Sequence, residues 1–202
     1  KINEGSYNLW GLDQSTIRLG LEYSPIERLE LGIGRSTFQK TIDGYIKFKI
    51  LRQDNLSMPL SVSYFGGSAI NTLKWEDPER VNYFTSRLSF VNQILISRKL
   101  NNNISIQIMP SHIHNNLVKS TIDPNDIFAL GSGGRVKLSQ RISVNAEYYY
   151  IITKRTRELF DNSLSLGFDI ETGGHVFHLN FSNNGAISEN NFIPFTQSNW
   201  LD

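Results

Sequence analysis

Hydrophobic and polar residues alternate along most of this chain with a period of two. Residues 141–150 show it most clearly, because alternate positions fall into one apolar set and one mostly polar set. The apolar set is Ile142, Val144, Ala146, Tyr148 and Tyr150, and the other set is Arg141, Ser143, Asn145, Glu147 and Tyr149. Successive side chains of a β-strand point to opposite faces, so this pattern predicts a strand with one apolar and one polar face.

The neighbouring segments repeat the pattern and predict an antiparallel meander. The preceding segment has alternate apolar residues at Phe128, Leu130, Val136 and Leu138. Only residues 139–141 separate it from the next strand, which predicts a β-hairpin. After a polar loop, the alternation resumes at Leu164, Leu166, Phe168 and Ile170.

Seven further segments bring the predicted total to about ten strands. Their apolar residues start at Ile17, Leu29, Ile46, Leu60, Leu88, Ile104 and Phe177. Residues 37–43 are predicted to form a polar connection. Gly66-Gly67 predicts a bulge or bend in the fourth strand. Pro110 is predicted to break the alternation of the sixth strand, so that His112 and His114 lead into a loop.

The predicted connections alternate between short and long. They are short after Tyr23 and longer after Ser36, and this order continues to a short turn after Glu171. Outer-membrane barrels combine brief periplasmic turns with extended external loops. Both ends of the chain then fall on the long-loop side, whereas such barrels keep their termini on the short-turn side. We therefore predict one domain over residues 1–202 that lacks one strand at each end, with twelve strands in the complete protein.

Composition narrows the class of protein further. Lys plus Arg number 20 against 19 Asp plus Glu, a net charge of +1, which gives no electrostatic basis for binding nucleic acid. No apolar run reaches the roughly 18 residues that a transmembrane helix needs, whereas a barrel strand needs only about 9 to 11. The absence of cysteine excludes disulfides and thiolate metal sites.

If the apolar faces contact lipid, the charged residues of the strands point into the lumen. The predicted lumen-facing residues are Arg18, Glu22, Glu30, Lys47, Lys49, Arg87, Arg135, Lys137, Glu147 and Asp169. Ten to twelve strands enclose a narrow lumen, far below the roughly 16 to 18 strands of open porins. Paired side chains of both signs would largely fill it, so a wide diffusion pore is not expected.

Several longer stretches resemble a Gram-negative family of membrane-bound outer-membrane β-barrel proteins of unknown function. The resemblance covers essentially the whole chain and is carried by residues 11–21, 70–80, 123–131, 145–150 and 167–177. It implies an outer-membrane location and a longer parent protein, and it implies no activity. Members are encoded near c-type cytochromes and small lipocalin-like periplasmic proteins, so the resemblance also implies a link to periplasmic electron transfer.

Candidate chemistry is sparse. His112 and His114 share a strand face, but two ligands without a nearby carboxylate or thiolate make a weak metal signal, and His175 and His178 make no stronger one. We expect lumen-lining or loop-lining roles for His112 and His114. The run Gly131-Ser132-Gly133-Gly134 lacks the Lys-Ser or Lys-Thr of a phosphate loop, and we expect its glycines to admit a bulky cross-strand ring. No catalytic residue, metal or cofactor is predicted.

The sequence therefore predicts an all-β, antiparallel up-and-down transmembrane barrel in the cell outer membrane. Its expected role is that of a structural scaffold or narrow channel in an envelope complex. Its expected partners are outer-membrane lipid and other envelope proteins. Two alternatives stay open: a soluble β-sandwich or lipocalin-like binding module, because alternation alone does not say which face is inside, and a hydrolase with a catalytic group at the rim.

Overall fold

One antiparallel sheet of ten strands makes up most of the protein. The computed structural model describes residues 16–54, 57–75 and 77–198. Each strand pairs with its neighbours in the sequence, which is an up-and-down meander. The strands are β1 (Arg18–Ile26), β2 (Leu29–Ser36), β3 (Thr41–Leu51), β4 (Ser61–Asn71), β5 (Leu88–Lys99), β6 (Ile104–Asn115), β7 (Asp126–Lys137), β8 (Ile142–Ile151), β9 (Ser163–Glu171) and β10 (Val176–Ser182).

Strands β1 and β10 form the two edges of the sheet. In the part of the chain that is described, β1 pairs only with β2 and β10 pairs only with β9, so the sheet does not close on itself. Both edge strands are exposed along nearly their whole length. The prediction of two further strands in a complete protein stays a prediction.

Three local expectations were wrong, and each for a physical reason. Strand β3 already begins at Thr41, because Thr41 and Asp43 are polar residues whose side chains are buried on the concave face. Strand β4 runs through Gly66-Gly67 in unbroken register with both neighbours, because the side chains of Tyr64 and Val91 occupy the space that the two glycines leave. Strand β6 continues through Pro110 to Asn115 in one register with β5, because the proline occupies a position where that ladder lacks a pair.

The connections separate into two ends of the sheet. The connections that follow β1, β3, β5, β7 and β9 lie at one end, which we call the turn end. The connections that follow β2, β4, β6 and β8 lie at the other, which we call the loop end. The predicted alternation therefore describes most connections, but the connection after β2 is shorter than expected and the connection after β3 is longer.

Most apolar residues of the strands point outward. Leu21 is 78% exposed, Ile142 41% and Leu166 40%, although all three are large hydrophobic side chains in the middle or at the start of a strand. On the opposite face of the same strands, Ser143 and Asp169 are buried. This polarity is the reverse of a water-soluble β-sandwich, whose apolar faces pack against each other.

Helices are few and short in the described part of the chain. Helix α1 (Lys154–Leu159) lies in the connection between β8 and β9, and helix α2 (Glu189–Phe192) follows β10. Within the described ranges, no helix has the length and apolar character needed to cross a membrane.

Candidate functional site

The concave interior of the sheet is occupied at the loop end by the chain that follows β10. We call residues 188–196 the plug segment; it includes α2. Ile193, Pro194 and Thr196 are each less than 2% exposed, and Ser188, Asn190 and Asn191 are also buried. The plug segment therefore packs into the interior as tightly as the core of a soluble protein.

An apolar cluster on the concave face receives the plug segment. Its buried members are Phe65, Val91, Met109, Ile113, Ile127, Ala129, Tyr149, Ile151 and Ile193. The Phe192 ring packs edge-on against the Tyr149 ring, with centroids 5.5 Å apart. Burial of this surface on both sides of the contact holds the plug segment by the hydrophobic effect.

Hydrogen bonds fix the position of the plug segment. Asn190 donates from Nδ2 to Ser89 Oγ at 2.6 Å, which ties α2 to the loop end of β5. The backbone N–H of Asp161 donates to the Thr196 carbonyl at 2.9 Å and forms a short bridge with it. Asn183 donates to the carbonyls of Asn162 and Ser198 at 3.0 and 2.8 Å, so it joins the connection between β8 and β9 to the residues that follow the plug segment.

Beside the plug segment, Arg18 on β1 forms an ion pair with Asp43 on β3. The guanidinium Nε donates to Asp43 Oδ1 at 3.1 Å, and a second hydrogen bond reaches Oδ2. The bridge spans β2, and it can do so because Gly34 lies beneath it: a Cβ on Gly34 would lie 2.5 Å from the Arg18 guanidinium. Asp43 is only 8% exposed, so this pair is largely desolvated.

A second charged group lies on β2 and β3. Tyr45 donates from its hydroxyl to Glu30 at 2.9 Å, and Lys47 Nζ lies 3.9 Å from the same carboxylate. Gly32 makes room for the tyrosine, because a Cβ there would lie 2.1 Å from the Tyr45 ring. Glu22 faces the same part of the interior.

A third group is centred on Asp169 of β9. Arg135 Nε lies 3.2 Å from Asp169 Oδ2, and Ser143 donates to the same oxygen at 3.2 Å. Asn145 donates to Oδ1 at 3.1 Å, and the His178 ring Nδ1 donates to it at 2.8 Å. The carboxylate thus joins four consecutive strands, β7 to β10.

A polar cavity of about 370 Å³ lies between the first two charged groups and the plug segment. Tyr149 donates to Glu147 at 2.9 Å on its wall, and Gln93 donates to Ser111 at 2.8 Å close by. The plug segment contributes Ser188, Glu189 and Asn190 to the lining. Charged residues of both signs therefore line a partly open pocket under a roof formed by the plug segment.

Glu189 is the ionisable group of the plug segment. The pKa of its carboxyl is raised to about 6, chiefly by burial in the interior and also by the nearby carboxylates of Glu147 and Asp43, while the backbone N–H of its own residue and Arg18 oppose the shift. The docked plug segment therefore holds Glu189 in its neutral form more readily than an exposed chain would.

The ten residues predicted to face the lumen differ in their surroundings. Seven of them line the cavity or belong to the three charged groups just described: Arg18, Glu22, Glu30, Lys47, Arg135, Glu147 and Asp169. Lys49 and Lys137 lie exposed near the turn end. Arg87 precedes β5 in a 3-10 turn, where it donates to the carbonyls of Asn71 and Leu73 and its guanidinium lies over the Trp75 ring.

The histidines of β6 lie on the convex face, not in the lumen or a loop as expected. His112 and His114 each donate a ring N–H to the same oxygen of Asp126, at 2.8 Å in both cases. The His112 ring stacks on Phe128, with centroids 4.9 Å apart. In the described ranges, no group of three or more histidine or acidic side chains is arranged to hold a metal ion.

The expected steric role of the glycine run is confirmed at Gly131. A Cβ there would lie 2.5 Å from the Tyr149 ring and 3.0 Å from the Met109 side chain. Gly133 makes only ordinary contacts, with its nearest neighbour at 3.5 Å. Gly131 is therefore the position that lets the Tyr149 ring lie flat across the strand.

The apolar cluster and the plug segment were missed by the alternation analysis. A signal was present, because several strands become apolar on both faces near the loop end. Examples are Phe90-Val91, Ile127-Phe128-Ala129-Leu130 and Tyr149-Tyr150-Ile151-Ile152. Such loss of alternation in a barrel strand predicts that its inner face contacts apolar groups instead of water.

An antiparallel meander with an apolar convex face and charged groups in a plugged interior is typical of membrane β-barrel proteins. The whole chain, residues 1–202, matches the family DUF5777, described as a membrane bound beta barrel domain. The chain belongs to this family. No curated protein and no solved structure matches it.

Proposed function

We propose that this protein is a plugged barrel of the Gram-negative outer membrane that serves as a structural scaffold in an envelope complex. The observation that carries the proposal is the plug segment, which fills the loop end of the interior with Ile193 fully buried. Three groups of charged side chains occupy much of the remaining space. An interior filled in this way stiffens the sheet and narrows the space left for an aqueous path between the described residues.

The outer membrane is the location that the chemistry of the chain favours. Bacterial outer-membrane proteins cross with β-strands that have an apolar outer face and a polar interior. Their long loops face the outside of the cell and their short turns face the periplasm. The loop end of this sheet, with α1 and the plug segment, is therefore proposed to face outward.

Single cysteines test this orientation, because the chain has none of its own. Lys154→Cys places a thiol on α1 at the loop end, where the lysine side chain is 82% exposed. Asn102→Cys is the matched control in an exposed turn at the opposite end. A membrane-impermeant thiol reagent applied to intact cells should label the first variant and spare the second until the outer membrane is opened. The reverse pattern, or fractionation of the protein with the inner membrane, would contradict the proposal.

A narrow channel that opens when the plug segment moves is the second candidate. The polar cavity beneath the plug segment favours it, because this cavity would become part of an aqueous path if the roof were removed. Planar-bilayer recordings separate the two candidates. The scaffold predicts no conductance from the unmodified protein over a wide range of voltages, and the channel predicts discrete openings.

The scaffold role also requires partners. We predict that the scaffold binds other envelope proteins, including the periplasmic electron-transfer proteins that the sequence resemblance implies. Cross-linking in intact cells through Asn102→Cys at the turn end, followed by mass spectrometry, tests it. Recovery of periplasmic or membrane partners supports a scaffold, and recovery of the uncrosslinked protein alone, at natural expression level, opposes it.

A further inference from the structure

The polar cavity beneath the plug segment has more negative than positive side chains in its wall. Seven charged residues line it, of which five are carboxylates and two are cations. Charges at a partly enclosed site are less screened by water than charges on an open surface, so an excess of one sign there attracts ions of the opposite sign. The seven are Glu22, Glu30, Asp43, Glu147, Glu189, Arg18 and Lys47.

The two cations of the cavity are already paired. Arg18 forms its ion pair with Asp43, and Lys47 Nζ lies 3.9 Å from the Glu30 carboxylate. Among the residues that the structure describes, no lysine, arginine or histidine forms an ion pair with any of the other three carboxylates. Those three carboxylates belong to Glu22, Glu147 and Glu189.

Glu189 brings part of this unpaired charge from the roof of the cavity. It lies in α2 between Ser188 and Asn190, which are 8% and 5% exposed, so the plug segment fixes its position. Its carboxyl group is buried and receives a hydrogen bond from its own backbone N–H. No side chain of the described ranges donates to it. A buried carboxylate with unused acceptor sites therefore lies in the cavity lining.

Another part of the cavity wall is apolar and aromatic. Phe65, Val91, Leu95 and Met109 contribute hydrocarbon surface to it. The rings of Tyr45 and Phe65 lie side by side, with centroids 5.2 Å apart. Hydrocarbon surface favours contact with the methylene groups of a ligand, and aromatic faces attract ammonium groups. The complementary ligand is therefore a cation that carries a short carbon chain.

We propose that this cavity binds a small alkylammonium cation, whose ammonium groups contact the unpaired carboxylates and whose methylene chain contacts the apolar wall. The volume of about 370 Å³ falls within the roughly 300 to 1,000 Å³ of small-ligand sites. An ammonium group has three hydrogen-bond donors and no acceptor, which matches a wall of carboxylates. This binding activity goes beyond the scaffold role and does not depend on it.

Isothermal titration calorimetry on the full-length protein in dodecyl maltoside tests the site. The probe is 1,4-diaminobutane at pH 7.5, where Glu189, with its pKa of about 6, is mostly ionised. The diamine is expected to bind saturably at a single site. The matched control ligand is 1,4-butanediol, which has the same carbon chain and no charge, and it is expected to give no saturable heat. Protein-free micelles supply the blank.

Isosteric amides then locate the site. Glu189→Gln and Glu147→Gln are each expected to weaken diamine binding about tenfold, because each removes a charged acceptor. Glu158→Gln is the control, since that glutamate pairs with Lys154 on the surface of α1, outside the cavity, and the affinity should stay unchanged. Heat-dependent gel mobility identifies variants that have lost the folded sheet, and Glu22→Gln, on the exposed strand β1, replaces any that have.

Three results would overturn the proposal. The first is the absence of saturable heat from the diamine, including the case in which Mg²⁺ binds in its place. The second is an affinity that is the same in the unmodified protein and in the Glu189 and Glu147 variants, which indicates adsorption outside the cavity. The third is equal binding of 1,4-butanediol, which indicates that the carboxylates do not select the ligand.

Discussion

Ile193 is the residue through which the docking of the plug segment can be weakened most directly. Its side chain is fully buried in the apolar cluster, and truncating a buried isoleucine to alanine destabilises the structure that contains it by about 2 to 5 kcal/mol. The strands are held by their own hydrogen-bond ladders, so the substitution destabilises the docking of the plug segment rather than the sheet. Even the lower value corresponds to about a 30-fold larger undocked population in Ile193→Ala.

A buried thiol reports that population. Ser188 is 8% exposed in the plug segment, so a cysteine at this position reacts with a thiol reagent only when the segment leaves the interior. Ile193→Ala should accelerate labelling of Ser188→Cys in proteoliposomes at least about 30-fold. Ile187→Ala is the matched control, because that isoleucine lies just before the plug segment and is 49% exposed. Equal labelling in the two variants would refute the docking of the plug segment as described.

Three further predictions concern the interior. The docked Glu189 has a pKa of about 6, above its ordinary value of 4.5, so docking is favoured below pH 6 and weakens as the pH rises through it. Labelling of Ser188→Cys, normalised to an exposed Lys154→Cys, should therefore be roughly fivefold to tenfold faster at pH 7 than at pH 5. Glu189→Gln should remove this pH dependence. Gly131→Ala should lower the free energy of unfolding in urea by about 1 to 3 kcal/mol, because the new methyl group collides with Tyr149. Gly133→Ala should change it little, and equal effects of the two substitutions would contradict the steric role of Gly131. Asp43→Ala leaves the partly buried Arg18 unpaired and should lower the free energy of unfolding by about 1 to 3 kcal/mol. Its control Glu158→Ala, in a surface pair with Lys154, should lower it by less than about 0.5 kcal/mol, and a comparable loss in both would show that the Arg18 pair is solvated.

The strands could be predicted from the sequence because a two-residue period is a local property. Residues 128–170 have it on every strand, and the three strands predicted there are β7, β8 and β9. The prediction was wrong where a polar residue belongs to a buried face, as at Thr41 and Asp43, because hydropathy alone does not separate a buried polar side chain from a loop. It was also wrong at Pro110, since a missing backbone donor is harmless at an unpaired ladder position.

The candidate site was less predictable, because it depends on contacts between distant parts of the chain. Arg18 and Asp43 are 25 residues apart, and nothing in either segment identifies the other as its partner. The plug segment begins with polar residues, including Asn190 and Asn191, and contains Pro194, a composition typical of a surface loop. Only the matching apolar cluster on the inside of β4 to β8 explains its burial, and that cluster is assembled by the sheet.

The route by which the plug segment reaches the interior bears on the order of assembly. Every neighbouring pair of strands closes over a short stretch of chain, whereas the Asn190–Ser89 hydrogen bond joins residues 101 positions apart. Short-range contacts form before long-range ones, so the hairpins are expected to insert in succession while their concave side is still wet. Water leaves last, when the plug segment enters, and this final step is then slower than the pairing of the strands.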